Sequence, residues 1–203
     1  MIDAMSPAAD ESAHRRDGPA SGAGWRVRST RHLFESKWYD LRQDELTLPG
    51  GQEITYTFVE HPGYAMVVPL LDDGRVLMER IWRHTLQRTT LECPSGGLDG
   101  DEPEGAARRE LEEETGHRAT TWRPLGRFFG SSGISSEQFH LFLATGLTDD
   151  GRMDREPTED MELVRVPFGE LRSRVLAGEL GDAPSALGLL LAWESLRAQG
   201  ETP

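Results

Sequence analysis

The sequence predicts an α/β fold: a mixed β-sheet sandwiched between helices, preceded by a small antiparallel β-sheet. Three observations carry that reading. Short strand patterns bounded by turn residues recur along most of the chain. A glycine-led, charge-rich helix interrupts them between Pro94 and His117. An apolar helix follows Asp182 near the end. Strands and helices interleaved in this order bury both faces of a sheet under helices.

Length and charge narrow the classes of function. At 203 residues the chain fits one domain with a small appendage. A net charge of −13 argues against nucleic acid and anionic membrane as main partners. An anionic substrate would need local help from metal ions and arginines. Of the 22 basic residues only Lys37 is lysine, so nearly every positive group is a forked guanidinium suited to phosphate. Cys93 is alone, which excludes an intrachain disulfide framework and a cysteine-rich zinc site. Its apolar flanks predict a buried thiol. There is no apolar run long enough to span a bilayer and no signal-peptide core, so the expected location is the cytoplasm.

Residues 1–24 are rich in Ala, Ser, Gly, Pro and charge, and read as a disordered tail. Residues 25–60 read as an N-terminal β domain with strands at 25–33, 37–47 and 53–60, the last after a Pro49-Gly50-Gly51 turn. Ile54, Tyr56 and Phe58 alternate with polar neighbours. Three strands bury little alone, so this piece is expected to pack on the rest of the chain or on a second subunit. Residues 61–203 make the main domain. An apolar strand at 64–71 turns at Asp72-Asp73-Gly74 and returns from 75 to 83. A strand at 88–93 feeds a glycine-rich loop. After the charged helix come strands near 122–129 and 138–144, separated by a Gly- and Ser-rich loop at 130–137. An acidic loop at 147–161 and a strand at 162–166 follow. Pro167 opens a helix reaching about residue 177. Asp182 caps the last helix, which Leu187, Leu189, Leu190, Leu191, Trp193 and Leu196 mark as core.

The charged helix holds the chemistry. The stretch reads P-S-G-G-L-D-G-D-E-P-E-G-A-A-R-R-E-L-E-E-E-T-G-H. Asp101 or Glu102 serves as its cap, Pro103 suits the first turn, and Gly116 is the stop. Glu110, Glu113 and Glu114 fall at i, i+3 and i+4, so they point to one side. Glu110 and Glu114 are like charges one turn apart, which costs an isolated helix roughly 0.2–0.5 kcal/mol. Arg109 lies one turn before Glu113 and is expected to offset only one of the three. A hard divalent cation such as Mg²⁺ relieves the rest, because it prefers carboxylate oxygens and bridges to substrate phosphates. Most acidic runs are only solvated faces; here the register of the neighbouring residues decides otherwise.

That register resembles the Nudix box, G-x5-E-x7-R-E-U-x-E-E-x-G-U, where U is bulky and apolar. Arg109-Glu110-Leu111, Glu113-Glu114 and Gly116 match it. Counting back from Arg109, the box Glu falls on Asp101 and the first Gly on Ser95, and the last apolar position is His117. One residue missing between Leu98 and Gly100 lets Gly96 serve as the box glycine. From about Trp25 to Trp193 the flanks resemble the ADP-ribose pyrophosphatase and nucleoside-diphosphate-sugar hydrolase branch of that family. The likeness includes the N-terminal strands, Ile81-Trp82-Arg83 and Leu91-Glu92-Cys93-Pro94-Ser95-Gly96. It also includes the loop at 131–137 and Glu159-Asp160-Met161-Glu162-Leu163.

The resemblance implies a Nudix α/β/α sandwich. It also implies Mg²⁺-dependent hydrolysis, with Mn²⁺ as a substitute, of the diphosphate bond of ADP-ribose or a related nucleoside-diphosphate sugar. The products are a nucleoside monophosphate and a sugar phosphate. Glu110 and Glu114 match the primary metal ligands, and Glu113 a further ligand or an orienter held by Arg109. The backbone carbonyl of Ser95 matches a metal-binding carbonyl. Glu159 aligns with a loop carboxylate that binds metal or positions water as general base; Glu156 and Asp160 are alternatives. Arg83 matches a substrate-contacting arginine, the alternative being a strand-end salt bridge. Glu92 matches a position that supports the loop or the terminal sugar. Trp38 or Tyr39 sits where the branch places an aromatic against the base, unless it is core. Gly133 sits where backbone amides approach phosphate or ribose, unless it is a plain turn glycine. His84, His117 and His140 show no ligand spacing. The resemblance also implies a homodimer whose N-terminal strands reach the partner's site. Two other readings remain: a Nudix hydrolase for another nucleotide such as a dinucleotide, and a catalytically silent nucleotide-sugar sensor, which the shortened loop and Asp101 would suit.

Overall fold

A computed structural model of the chain describes residues 24–155 and 160–201. The expected tail, apart from Gly24, lies outside the described residues. The chain divides into two compact units, with the boundary between Val59 and Glu60.

In the first unit, β1 (Arg26–Phe34), β2 (Asp40–Thr47) and β3 (Glu53–Glu60) form one sheet in that order, with β1 and β2 antiparallel. Residues 37–39, expected at the start of β2, form a turn instead. The Ser36 hydroxyl accepts the N–H groups of Trp38 at 3.2 Å and Tyr39 at 3.1 Å and donates to the Tyr39 carbonyl at 2.7 Å. A hydroxyl that satisfies local backbone groups in this way competes with the ladder and delays the strand.

The second unit begins with β4 (Tyr64–Pro69), β5 (Arg75–Arg83), β6 (Arg88–Glu92) and the three-residue β7 (Ser95–Gly97). Then come α1 (Pro103–Thr115), β8 (Arg118–Phe129), β9 (Gln138–Thr148), β10 (Met161–Pro167), α2 (Phe168–Leu176) and α3 (Ala183–Ala198). One sheet runs β7-β4-β9-β8 and is mixed, because β4 is parallel to β9 but antiparallel to β7. The other runs β10-β5-β6 and is antiparallel.

Strand alternation builds the layers. Ala65 and Val67 of β4, with Phe142 and Ala144 of β9, pack with Ala106, Ala107 and Leu111 of α1. Their neighbours Met66, Val68, Leu141 and Leu143 face the other way, into a core shared with Phe168, Leu171, Leu189 and Ala192 of α2 and α3. Covering both faces is why β4 reads as an unbroken apolar run. This is the α/β/α sandwich that the sequence predicts.

Several boundaries differ from expectation, each because a partner strand sets it. β7 lies inside the expected glycine-rich loop; pairing of Ser95, Gly96 and Gly97 with Met66, Ala65 and Tyr64 makes it a strand. β8 and β9 exceed their expected lengths because they pair from Arg118↔Thr148 to Phe129↔Gln138. Pro167 is the cap of α2, not its first residue, since it still pairs with Arg75 of β5. Glu102 occupies the cap position of α1, without a side-chain cap bond. Gly116 ends α1 at φ 71°, a left-handed conformation that glycine adopts without penalty. The Asp182 carboxylate accepts the Ser185 N–H at 2.9 Å and caps α3 as expected. Cys93 is fully buried, its backbone N–H donating to Ser185 Oγ at 2.9 Å, and burial pushes its thiol pKa well up. No helix among the described residues is long and apolar enough to cross a membrane.

Leu141 sits at the centre of the larger core and is 1% exposed, whereas Leu176 is 62% exposed. Leu141→Ala should lower the unfolding free energy by about 2–5 kcal/mol in urea titrations. Leu176→Ala should stay within about 0.5 kcal/mol of the parent.

Candidate functional site

The helix α1 presents two adjoining stripes. Ala106, Ala107 and Leu111 meet the sheet, while Glu110 and Glu114 continue from Ala106 at four-residue steps. Glu110 and Glu114 are only 6% and 4% exposed. Burial of two carboxylates costs free energy unless they are hydrogen-bonded or paired, and β7 supplies part of that. The Ser95 N–H donates to Glu114 Oε2 at 2.8 Å. Gly96 leaves room for the other acid: a Cβ at 96 would fall 2.1 Å from Glu110 Cδ. Glu113 shares this side of the helix but is partly exposed.

Arg109 does more than offset one acid. Its Nη1 donates to Glu110 Oε1 at 2.6 Å and Glu113 Oε2 at 3.2 Å, its Nε to Asp101 Oδ2 at 3.2 Å. Its Nη2 donates to the Gly97 carbonyl at 2.7 Å and Asp99 Oδ2 at 3.4 Å. The expectation that it offsets only one of the three helix acids fails, because Nη1 reaches both Glu110 and Glu113. The loop after β7 folds back and adds Asp99, Asp101 and the Gly97 carbonyl, which spacing along the helix does not reveal. Burial works against the guanidinium's charge, yet Glu110, Asp101 and Glu113 outweigh it and hold its pKa above the usual range. Four carboxylates, Asp99, Asp101, Glu110 and Glu113, thus share one guanidinium. A donor set of crowded carboxylate oxygens with a charge deficit fits a hard divalent cation.

The C-terminal end of α1 is tied to the acidic loop. Asp154 N–H donates to the Glu113 carbonyl at 2.9 Å, and Gly151 N–H to the Gly116 carbonyl at 2.9 Å. Arg155 Nε donates to the Glu114 carbonyl at 2.7 Å, and its Nη1 to the Met161 carbonyl at 3.4 Å. The two ends of the segment that carries Glu156 and Glu159 are thereby held beside Glu114. Glu156 and Glu159 themselves lie outside the described residues. Asp160 is exposed, and its carbonyl accepts the Trp82 N–H at 3.3 Å.

Arg83 is engaged as a strand-end salt bridge. Its Nε and Nη2 fork onto Glu92 Oε1 and Oε2 at 3.0 and 2.6 Å, and this pairing holds its pKa up. Glu92, 5% exposed, also accepts the Thr90 hydroxyl at 2.5 Å. Asp182 and Glu114 both add to the field at Arg83. Burial pushes the Asp182 carboxyl pKa up, and Glu92 adds to that. Burial likewise raises the pKa of the Tyr64 hydroxyl, with Glu137, Asp182 and Glu92 contributing.

Thr90, which hydrogen-bonds Glu92, and Asp182, which adds to the field at Arg83, were not singled out as candidate site residues from the sequence. Thr90 carried a usable signal, since it lies two residues before Glu92 on the same strand face. Asp182 showed only its capping pattern. Trp38 and Tyr39 lie in the β1–β2 turn of the first unit, both exposed. Gly133 is exposed, with open space where a Cβ would stand, so nothing in the backbone there demands glycine. His117 fills the last apolar position of the box and is 5% exposed; its Nδ1 lies 2.8 Å from the Thr115 carbonyl.

Comparison with known proteins agrees with this geometry. The nucleoside diphosphate sugar hydrolase N-terminal domain matches residues 25–59. An ADP-ribose pyrophosphatase of Mycobacterium tuberculosis is 37% identical over 165 residues, 80% of each chain. Another, of Bacillus subtilis, is 34% identical over 171 residues, covering 82% of this chain and 92% of the relative. The crystal structure of an ADP compounds hydrolase superposes with a TM-score of 0.76 at 22% identity, over 88% of this chain and 97% of that one, and so shares the fold. The NUDIX domain matches residues 60–185, with the carboxylate helix inside it, and the chain belongs to the Nudix hydrolase family.

Proposed function

We propose that the chain is a Mg²⁺-dependent nucleoside-diphosphate-sugar hydrolase acting on ADP-ribose or a related nucleotide sugar. One observation carries this reading: Asp99, Asp101, Glu110 and Glu113 share the single Arg109 guanidinium, with Glu114 buried beside them. The names of the two relatives support the substrate class.

Glu110 and Glu114, with Glu113 as a further ligand and the Ser95 carbonyl, would hold Mg²⁺ or Mn²⁺. Bound there, the ion supplies neutralisation of the diphosphate and a water of lowered pKa. The chain's own groups do the rest. Arg109 keeps Glu110 and Glu113 in place. Arg83, fixed in orientation by Glu92, offers its guanidinium edge to the diphosphate or the adjoining sugar. Glu159 is the proposed general base, with Glu156 and Asp160 as alternatives, and Arg155 ties that loop to the carbonyl end of α1. Water adds to one phosphorus, the bridging P–O bond breaks, and a nucleoside monophosphate and a sugar phosphate leave.

The same reading includes a homodimer. Leu33, Phe34, Trp38 and Tyr39 are exposed together near the β1–β2 turn, and apolar side chains grouped on a surface suit a partner. Trp38 would then stack on a base and Gly133 line the phosphate or ribose. A cytoplasmic setting suits the lone reduced thiol of Cys93. A silent sensor is less well supported, because Asp101 reaches Arg109 at 3.2 Å despite the shortened loop.

Incubation with a panel of nucleotide sugars and Mg²⁺ should release a nucleoside monophosphate. Glu114→Gln should cut kcat by more than about 100-fold, beyond the range for groups that only support a ligand, with the fold retained by circular dichroism. Tight ADP-ribose binding without turnover in every divalent metal would favour the sensor. Gly96→Ala should push the Glu110 carboxylate out of its place and weaken Mn²⁺ binding by about tenfold or more in calorimetric titration.

A further inference from the structure

The β5–β6 hairpin carries a second arginine on the face that holds Arg83. In the ladder Arg83 stands opposite Arg88, Ile81 opposite Thr90, and Glu79 opposite Glu92. Cross-strand partners and every second residue share a face, so Arg83, Arg88, Thr90 and Glu92 leave the sheet on the same side. Arg83 feels both Glu114 of α1 and Asp182 at the start of α3. Arg88, the cross-strand partner of Arg83, is thus a second basic group next to the Arg83–Glu92 pair.

Arg88 lines a cavity of about 330 Å³ whose far wall is the α2–α3 loop, from Gly178 to Gly181. That volume is within the range of small-molecule sites. Thr90 forms part of the wall while its hydroxyl is held by Glu92. The Arg88 guanidinium lies directly against the loop backbone, since a Cβ at Gly181 would fall 2.8 Å from Nη2. Arg174 also lines the cavity but is already paired with Glu170 at 2.5 Å. The acid in the wall, Glu179, is exposed.

The surroundings of Arg88 are the informative part. The chain carries 35 acidic against 22 basic residues. Even so, the Arg88 guanidinium has no carboxylate partner among the described residues, whereas Arg83, Arg109 and Arg174 each have one. A pocket for a neutral sugar needs acceptors for hydroxyl groups. A guanidinium offers only donors and a positive charge, which suit an anionic oxygen pair.

We propose that Arg88 and the 178–181 loop form a subsite for an acidic group, a carboxylate or a phosphate, on the distal sugar of the substrate. This rests on the nucleotide-sugar hydrolase reading above and makes the enzyme prefer an acidic sugar to its neutral counterpart.

The test is a ratio of kcat/KM values measured with Mg²⁺ on matched pairs. UDP-glucuronate against UDP-glucose probes a carboxylate, and ADP-ribose 1″-phosphate against ADP-ribose probes a phosphate. In the wild type at least one acidic member should be favoured by about tenfold or more, as expected for a charge-assisted hydrogen bond. Arg88→Ala should bring that ratio close to one, and Arg88→Lys should restore part of it. A wild-type ratio near one for both pairs overturns the subsite, and so does a preference that survives Arg88→Ala. Neutral sugars would still be hydrolysed in those cases. Failure of the wild type to hydrolyse any nucleotide sugar would instead overturn the hydrolase reading on which the subsite depends.

Discussion

Two carboxylates kept out of water are the constraint on which the site depends. Glu110 and Glu114 lie at 6% and 4% exposure on one stripe of α1, and the structure around them is arranged to tolerate that. β7 must run close enough for the Ser95 N–H to reach Glu114, and must carry no side chain at position 96, where Glu110 sits. β7 in turn is placed by β4, the strand whose two faces feed both cores. The apolar stripe of α1, Ala107 and Leu111, anchors the helix so that the acidic stripe cannot turn to solvent. Packing energy here opposes an electrostatic cost that the helix alone would avoid by rotating or fraying.

Arg109 shows how such a site remains foldable before it binds anything. A guanidinium in contact with four carboxylates and a carbonyl neutralises part of the crowding and pins the loop after β7 to the helix. Planarity and several donors are what make this possible; an ammonium of the same charge could not reach in all these directions. The remaining deficit is local consistency given up for function, the usual place for a sequence to break its own folding rules.

The residues around Glu92 form a second arrangement, continuous with the first. Arg83, Thr90 and Glu92 are joined by hydrogen bonds on one face of β5 and β6. Asp182 adds charge from the α3 cap. The buried acids of α1 therefore grade into a mixed, partly basic wall. That gradient suits a substrate whose diphosphate is followed by a sugar.

Much of this was legible in the chain. Helical spacing alone put Glu110, Glu113 and Glu114 on one side, period-two alternation found β3, and turn chemistry placed β5 after Asp72-Asp73-Gly74, ended α1 at Gly116 and began α3 at Asp182. Those features are set by residues within a few positions of each other, so local rules suffice. The sequence could not tell that Ser95–Gly97 is a strand, that Arg109 reaches back to Asp99 and Asp101, or that Arg83 spends its fork on Glu92. Each of these depends on which segments pair across the sheets and how the loop after β7 folds onto α1. Only the folded chain decides those distances, because they are fixed by packing between residues far apart in the sequence.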